Sequence, residues 1–199
     1  MYKKQMKLQK LLCILSIAAS ALVFLYSLGI MTDLFDMLYN MMPDHANIDN
    51  DRIGGGARIY YDMQDFNHQL LWVGIILILI SCSLLLTNTH TRRKYYISNY
   101  ISIGLTFAAN VCAAVWGHVQ IAGYKQTYLS TIDFTELERQ LTRRRVGDLF
   151  TSSTFWFDIH YFVFVVPLIV SILLVLNLIW KIRLMNDERS LLEQGKAVS

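Results

Sequence analysis

Charged residues are scarce in this chain, and long parts of it contain none. Only 17% of the residues are Asp, Glu, Lys or Arg, whereas a soluble domain carries about a quarter. Four stretches lack every charged residue and every histidine, and they are 11–32, 69–89, 95–117 and 161–180. This distribution excludes an ordinary soluble domain, because each stretch has the roughly 20 residues that a helix needs to cross a hydrocarbon core of about 30 Å.

Cysteine is also rare, and its positions exclude two further classes of protein. Cys13, Cys82 and Cys112 all lie inside the uncharged stretches, and no two of them form a C-x-x-C pair. A disulfide framework and a membrane thiol oxidoreductase both need paired cysteines, so neither is expected. The long loops lack N-x-S/T glycosylation acceptors as well. Both absences favour a bacterial plasma membrane over a eukaryotic cell surface.

Sequence signatures of catalysis are missing too. The chain contains no H-E-x-x-H, Walker loop, G-x-S-x-G or dinucleotide fingerprint. No ionisable residue lies deep inside an uncharged stretch, which argues against an ion-coupled carrier with its site at the membrane midplane. We therefore expect no enzyme, no bound cofactor and no nucleic-acid partner.

The uncharged stretches predict an all-α membrane protein with four transmembrane helices, arranged as two helical hairpins in a single domain. The predicted spans are about 11–31, 69–88, 96–118 and 160–181. They leave two long loops at 32–68 and 119–159, a short link at 89–95 and a tail at 182–199.

Basic residues at the ends of the spans predict the orientation. They flank the first span, fill the short link and open the tail, at Lys3, Lys4, Lys7, Lys10, Arg92, Arg93, Lys94, Lys181 and Arg183. The first long loop instead holds seven Asp against two Arg. Because basic residues near span ends stay in the cytoplasm, we expect both termini and the link inside and both long loops outside. Arg143–Arg145 lie in an outer loop, but more than ten residues from either span, where this rule weakens.

Each long loop contains a segment with the pattern of a short amphipathic helix. The first segment, at 31–42, continues the first span until Pro43 stops it. The second runs over 133–147, where Asp133 is the predicted N-cap and Gly147 the predicted stop. We expect the second helix to rest on lipid headgroups, dock on a partner or cover the bundle.

The third span is rich in small residues, which predicts close helix packing. Small residues recur every fourth position in two rows, one with Gly104, Ala108 and Cys112 and the other with Ala109, Ala113 and Gly117. Small residues at this spacing let helix backbones approach closely in lipid, so this span is predicted to be the central helix.

Two polar or helix-breaking features lie within the spans. Asn110 lies near the middle of the third span and needs a hydrogen-bond partner there. Two roles fit Asn110: a contact between helices, or a contact to a pore or a substrate. Pro167 removes one backbone hydrogen bond from the fourth span and predicts a kink.

Three histidines and one aspartate share a depth at the outer ends of the spans. His68 precedes the second span, His118 ends the third, and Asp158 and His160 open the fourth. Converging imidazoles and a carboxylate would suit zinc or copper, and two facing histidines would suit haem. Histidine also suits a membrane interface with no ligand at all. Both interpretations stay open.

The preferred function is that of an accessory, assembly or oligomeric subunit of a plasma-membrane complex. Its partners would be the lipid bilayer and either other membrane proteins or further copies of itself. One alternative is a channel or transporter whose pore forms between subunits, beside Asn110. The second alternative is a metal- or haem-binding membrane protein that uses the outer histidines.

Overall fold

The computed structural model describes residues 2–34, 55–88, 96–135 and 153–197, and these residues are almost entirely helical. The helices are α1 (Tyr2–Gly29), α2 (Gly55–Asn88), α3 (Tyr96–Thr131), the one-turn α4 (Phe155–Asp158) and α5 (His160–Ala197). A π-helical turn, Ile30–Leu34, extends α1.

Four helical segments among the described residues are long and apolar enough to cross a membrane. They are Lys3–Leu34, Tyr61–Asn88, Asn99–Thr131 and Phe155–Leu191. The predicted all-helical membrane protein with four spanning helices is therefore confirmed. The helices are longer than the predicted spans, and α2 begins at Gly55, well before position 69. An uncharged run marks the hydrocarbon, whereas a helix continues into water for as long as its backbone bonds and side-chain contacts support it.

Several predicted features lie outside the described residues. Of the amphipathic segment at 31–42, the structure describes only Met31–Leu34, which belong to the π-helical turn. Of the segment at 133–147 it describes only the first three residues, and the link at 89–95 lies wholly outside.

The residue contacts divide the chain into two compact units, and each unit contains a part of α1, α2, α3 and α5. Unit 1 consists of Met1–Ala21, Ile75–Cys112 and Val165–Ser199. Unit 2 consists of Leu22–Gly74 and Ala113–Phe164.

Unit 1 has a core in which aliphatic side chains alternate with hydrogen-bonded polar ones. Its aliphatic cluster comprises Leu12, Cys13, Ala19, Leu84, Ile103, Val170 and Leu174. Between α1 and α2, the hydroxyl of Ser81 lies 2.9 Å from those of both Ser16 and Ser20. Three hydroxyls can thus satisfy one another where lipid would offer them no partner.

Unit 2 is held together by aromatic side chains that pack onto glycines. A Cβ atom at Gly29 would lie 2.5 Å from the Trp156 ring, and one at Gly117 would lie 2.4 Å from the Phe164 ring. At Gly74 the neighbour is the backbone itself, since a Cβ would lie 2.8 Å from the Cα of Phe24. At Gly74, therefore, α1 and α2 touch backbone to backbone, as small residues permit in membranes.

Replacing Gly74 by alanine tests this contact. The new methyl group would overlap the Phe24 backbone, which cannot move away as a side chain can. We expect Gly74→Ala to lower the free energy of unfolding by about 1–3 kcal/mol. Unfolding in mixed micelles with increasing SDS, followed by circular dichroism, measures the change.

Gly123→Ala, in α3, is the matched control. A Cβ atom there meets nothing within 4 Å, so only helix propensity changes, and stability should rise by up to about 1 kcal/mol. Equal stability changes in the two variants would contradict the contact between α1 and α2.

Candidate functional site

His118 of α3 and His160, the first residue of α5, contact each other in unit 2. His118 Nδ1 lies 2.9 Å from His160 Nε2, and the ring planes differ by 24° with their centroids 5.2 Å apart. His160 is buried, with 2% of its surface exposed, whereas the side chain of His118 is exposed. The pair thus joins a buried imidazole to an exposed one.

The backbone of the turn before α5 fixes the orientation of the buried ring. His160 Nδ1 contacts the carbonyl oxygen of Phe157, three residues back. Because α4 ends at Asp158, the Phe157 carbonyl lies in a last helical turn, where carbonyl groups need partners from outside the helix. The imidazole supplies that partner, and in doing so it is held at the start of α5.

These two contacts determine which ring nitrogens carry hydrogen. A carbonyl oxygen only accepts, so Nδ1 of His160 must be the N–H donor to Phe157. In the neutral ring, Nε2 of His160 is then an acceptor, and Nδ1 of His118 must donate to it. The remaining nitrogen, Nε2 of His118, is left with a free lone pair. Both N–H bonds therefore point inward, and the exposed end of the pair is a base or a ligand atom.

Asp158, the carboxylate beside the pair in the sequence, is engaged elsewhere. Its Oδ1 lies 2.5 Å from the Lys125 ammonium, and its Oδ2 accepts a 2.6 Å hydrogen bond from the Thr154 hydroxyl. Thr154 is the N-cap residue of α4 and Asp158 is its last residue, so this hydrogen bond joins the two ends of the one-turn helix. This ion pair connects α3 to the turn before α5.

The structure brings together only two of the four residues that the sequence offered as metal ligands. Among the described residues, no three His, Cys, Asp or Glu side chains come close enough to hold one metal ion. His68, exposed on α2, and Asp158 therefore do not join His118 and His160 as a third ligand. The pair of His118 and His160 therefore offers a ligand one lone pair, on Nε2 of His118.

The two small-residue rows of α3 have different environments. Ala113 and Gly117 are buried, and Phe164 covers Gly117. Gly104, Ala108 and Cys112 are exposed, and we call them the outer face of α3. At 100° per residue the centres of the two rows lie about 140° apart around the helix. The sequence pattern found both rows but could not show which one the chain covers itself.

Asn110 lies inside unit 1 and makes an interhelical hydrogen bond. Its Nδ2 donates to the Ser171 hydroxyl of α5 at 2.8 Å, and the residue is 4% exposed. Ser171 lies four residues after Pro167, which is itself buried within the continuous helix α5. Ala109, the preceding residue, is half-buried. The geometry is that of a polar contact that fixes two helices together.

Sequence reasoning missed a chain of buried amides in unit 1. Gln5 Nε2 donates to Gln9 Oε1 at 2.9 Å, and Gln9 Nε2 donates to Asn88 Oδ1 at 2.7 Å. Asn88 Nδ2 in turn donates to the Ser102 hydroxyl at 2.8 Å, so the chain links α1, α2 and α3. The available signal was the i, i+4 spacing of Gln5 and Gln9, which places both amides on one helix face.

The hydrogen positions in the histidine pair can be measured directly. With 15N-labelled imidazole rings in detergent micelles at a pH where both are neutral, we expect His118 and His160 both to carry hydrogen on Nδ1. A two-bond 1H–15N spectrum distinguishes the nitrogens, and His160→Phe should release His118 from this form because its acceptor is gone. His68, which lies outside the pair, is the internal control. An Nε2–H form of His118 in the unaltered chain would contradict the assignment.

Comparison of the chain with protein families, curated proteins and solved structures gives no match.

Proposed function

We propose that the chain is a subunit of a membrane complex and that it assembles through the outer face of α3, with a second copy of itself as the partner. The observation that carries this proposal is the exposure of Gly104, Ala108 and Cys112 along one side of a spanning helix. A Cβ atom at Gly104 would meet nothing within 4 Å, so this side of α3 has room for another backbone.

Large side chains border the small-residue row on the same side of α3. Ile101 and Leu105 lie about 60° and 100° around the helix from Gly104 and are 66% and 54% exposed. Large aliphatic side chains suit contact with lipid tails, whereas small residues in a row allow close packing of two helices. Such a row is complementary to itself, as the two-fold contact of a homodimer requires.

The orientation belongs to the same proposal. Four spanning helices would leave both termini on one side, and the basic residues near the spans support the cytoplasm for that side. We therefore propose a multi-pass protein of the plasma membrane with both termini inside.

The alternative of a pore between subunits beside Asn110 has less support. Asn110 donates its hydrogen bond to Ser171 of the same chain and is almost fully buried. A residue in that position cannot line a channel between separate subunits without leaving its partner.

Disulfide crosslinking through Cys112 tests the association. A disulfide forms only when the two Cα atoms lie about 4.4–6.8 Å apart, which a small-residue interface achieves and ordinary lipid-facing helices do not. Cys82→Ala leaves Cys112 as the exposed cysteine, and Cys13 is fully buried. We expect a membrane-permeant oxidant to convert this variant to a disulfide-linked dimer in native membranes.

Cys112→Ala is the matched control, since it leaves only Cys82 outside the core and should give no such dimer. Gly104→Leu in the Cys82→Ala background should lower the dimer yield about tenfold, the effect of losing about 1.4 kcal/mol of association energy. A crosslink from Cys112 to a different protein would support a mixed complex in place of self-association. A chain that remains a monomer under all these conditions would contradict the proposal.

A further inference from the structure

A groove between α1 and α5 in unit 1 is unlike the rest of the apolar surface. It has a volume of about 210 Å³ and is lined by Leu8, Leu12, Leu173, Leu176, Asn177 and Trp180. This is below the roughly 300–1,000 Å³ of a pocket for a compact small molecule. Its size and leucine lining suit one segment of a hydrocarbon chain.

A single polar side chain faces this groove, and its hydrogen-bonding groups are unused. Asn177 is 4% exposed, and among the described residues neither Nδ2 nor Oδ1 of its amide has a partner. A buried amide without partners is destabilising. Asn110, the comparable residue of α3, meets part of that cost, because its Nδ2 donates to Ser171 while its Oδ1 has no partner among the described residues. The Asn177 amide leaves both its N–H donors and its carbonyl acceptor unpaired, so it offers both kinds of group to a molecule in the groove.

Positive charge flanks the same end of the groove on both helices. Lys181 lies one helical turn beyond Asn177, is 7% exposed, and pairs with no carboxylate among the described residues. Lys4 is exposed and lies one turn before Leu8. Because i and i+4 positions share a helix face, both lysines continue the groove toward the chain termini. Helix α1 contains no acidic residue to neutralise them.

We propose that the groove binds one anionic phospholipid. An acyl chain lies along the leucines, the ester and glycerol oxygens meet the Asn177 amide, and the phosphate lies between Lys181 and Lys4. The leucines, the Asn177 amide and the lysines then follow one another along the groove in the same order as the acyl chain, the ester region and the phosphate of the lipid. The site is distinct from the outer face of α3, so either proposal can fail without the other.

Trp180 lines the groove and provides the measurement, because brominated acyl chains quench nearby tryptophan fluorescence. The full chain is placed in phosphatidylcholine bilayers that contain a small fraction of brominated phosphatidylglycerol or brominated phosphatidylcholine. The difference between the unaltered chain and Trp180→Phe isolates the Trp180 signal. We expect half-maximal quenching at an about fivefold lower fraction of the anionic lipid, as one favourable lysine contact of about 1 kcal/mol predicts.

Two variants should remove this preference. Asn177→Leu keeps the branching of the side chain at Cγ, removes an amide without partners and should fold at least as well. Its matched control is Asn99→Leu, since Asn99 is also a buried amide whose Oδ1 has no partner, but it does not line the groove. Lys4→Gln changes an exposed residue, and its control is Lys3→Gln, the same charge change about 100° around the helix.

Loss of the preference in Asn177→Leu and Lys4→Gln, with both controls unchanged, supports the lipid site. Equal quenching by the two lipids in the unaltered chain would overturn it, as would a preference that survives both variants. Absence of quenching at Trp180 by either lipid would also overturn it, because protein would then cover the groove.

Discussion

The hydrocarbon of a membrane offers no hydrogen-bond donor or acceptor, and the polar interior of this protein follows from that constraint. Each polar side chain on a spanning helix must find a partner on its own backbone or on another helix, or it loses free energy. Thr106 donates to the Ser102 carbonyl of its own helix, Ser16, Ser20 and Ser81 share hydroxyls between two helices, and the Asn110 amide donates to Ser171. The directional contacts in turn fix the rotation of each helix about its axis. Apolar side chains alone would specify that rotation poorly, since they pack against lipid as readily as against each other.

The sequence predicted the number and type of spanning helices because the cost of charge in hydrocarbon leaves long uncharged runs. It did not predict where the helices end, since α3 reaches Thr131 well beyond the uncharged run. The amide chain was missed because Gln5 and Gln9 lie among four lysines, in a segment that was assigned to water. For the histidines, shared depth was predictable, but the contact of His118 with His160 depends on the rotation of both helices. Periodicity gives the face of a residue on its own helix and leaves its neighbour undetermined.

Helix α3 shows how a small-residue pattern can serve two purposes. One row is already used within the chain, where Phe164 fills the space above Gly117. The other row remains uncovered at Gly104, Ala108 and Cys112. The groove of α1 and α5 is a third kind of surface, apolar in shape but polar at Asn177. A neighbouring protein and a phospholipid would therefore meet the chain on chemically different surfaces.

The direction of the two N–H bonds in the histidine pair limits what the pair can do. A proton that arrives at Nε2 of His118 can be shared along the hydrogen bond with His160. It can go no further, because the last acceptor is the carbonyl oxygen of Phe157, which has no hydrogen of its own to release. The pair is consequently a dead end for proton conduction. It can store a positive charge or hold a ligand at the exposed Nε2 of His118, but it cannot pass a proton beyond the Phe157 carbonyl.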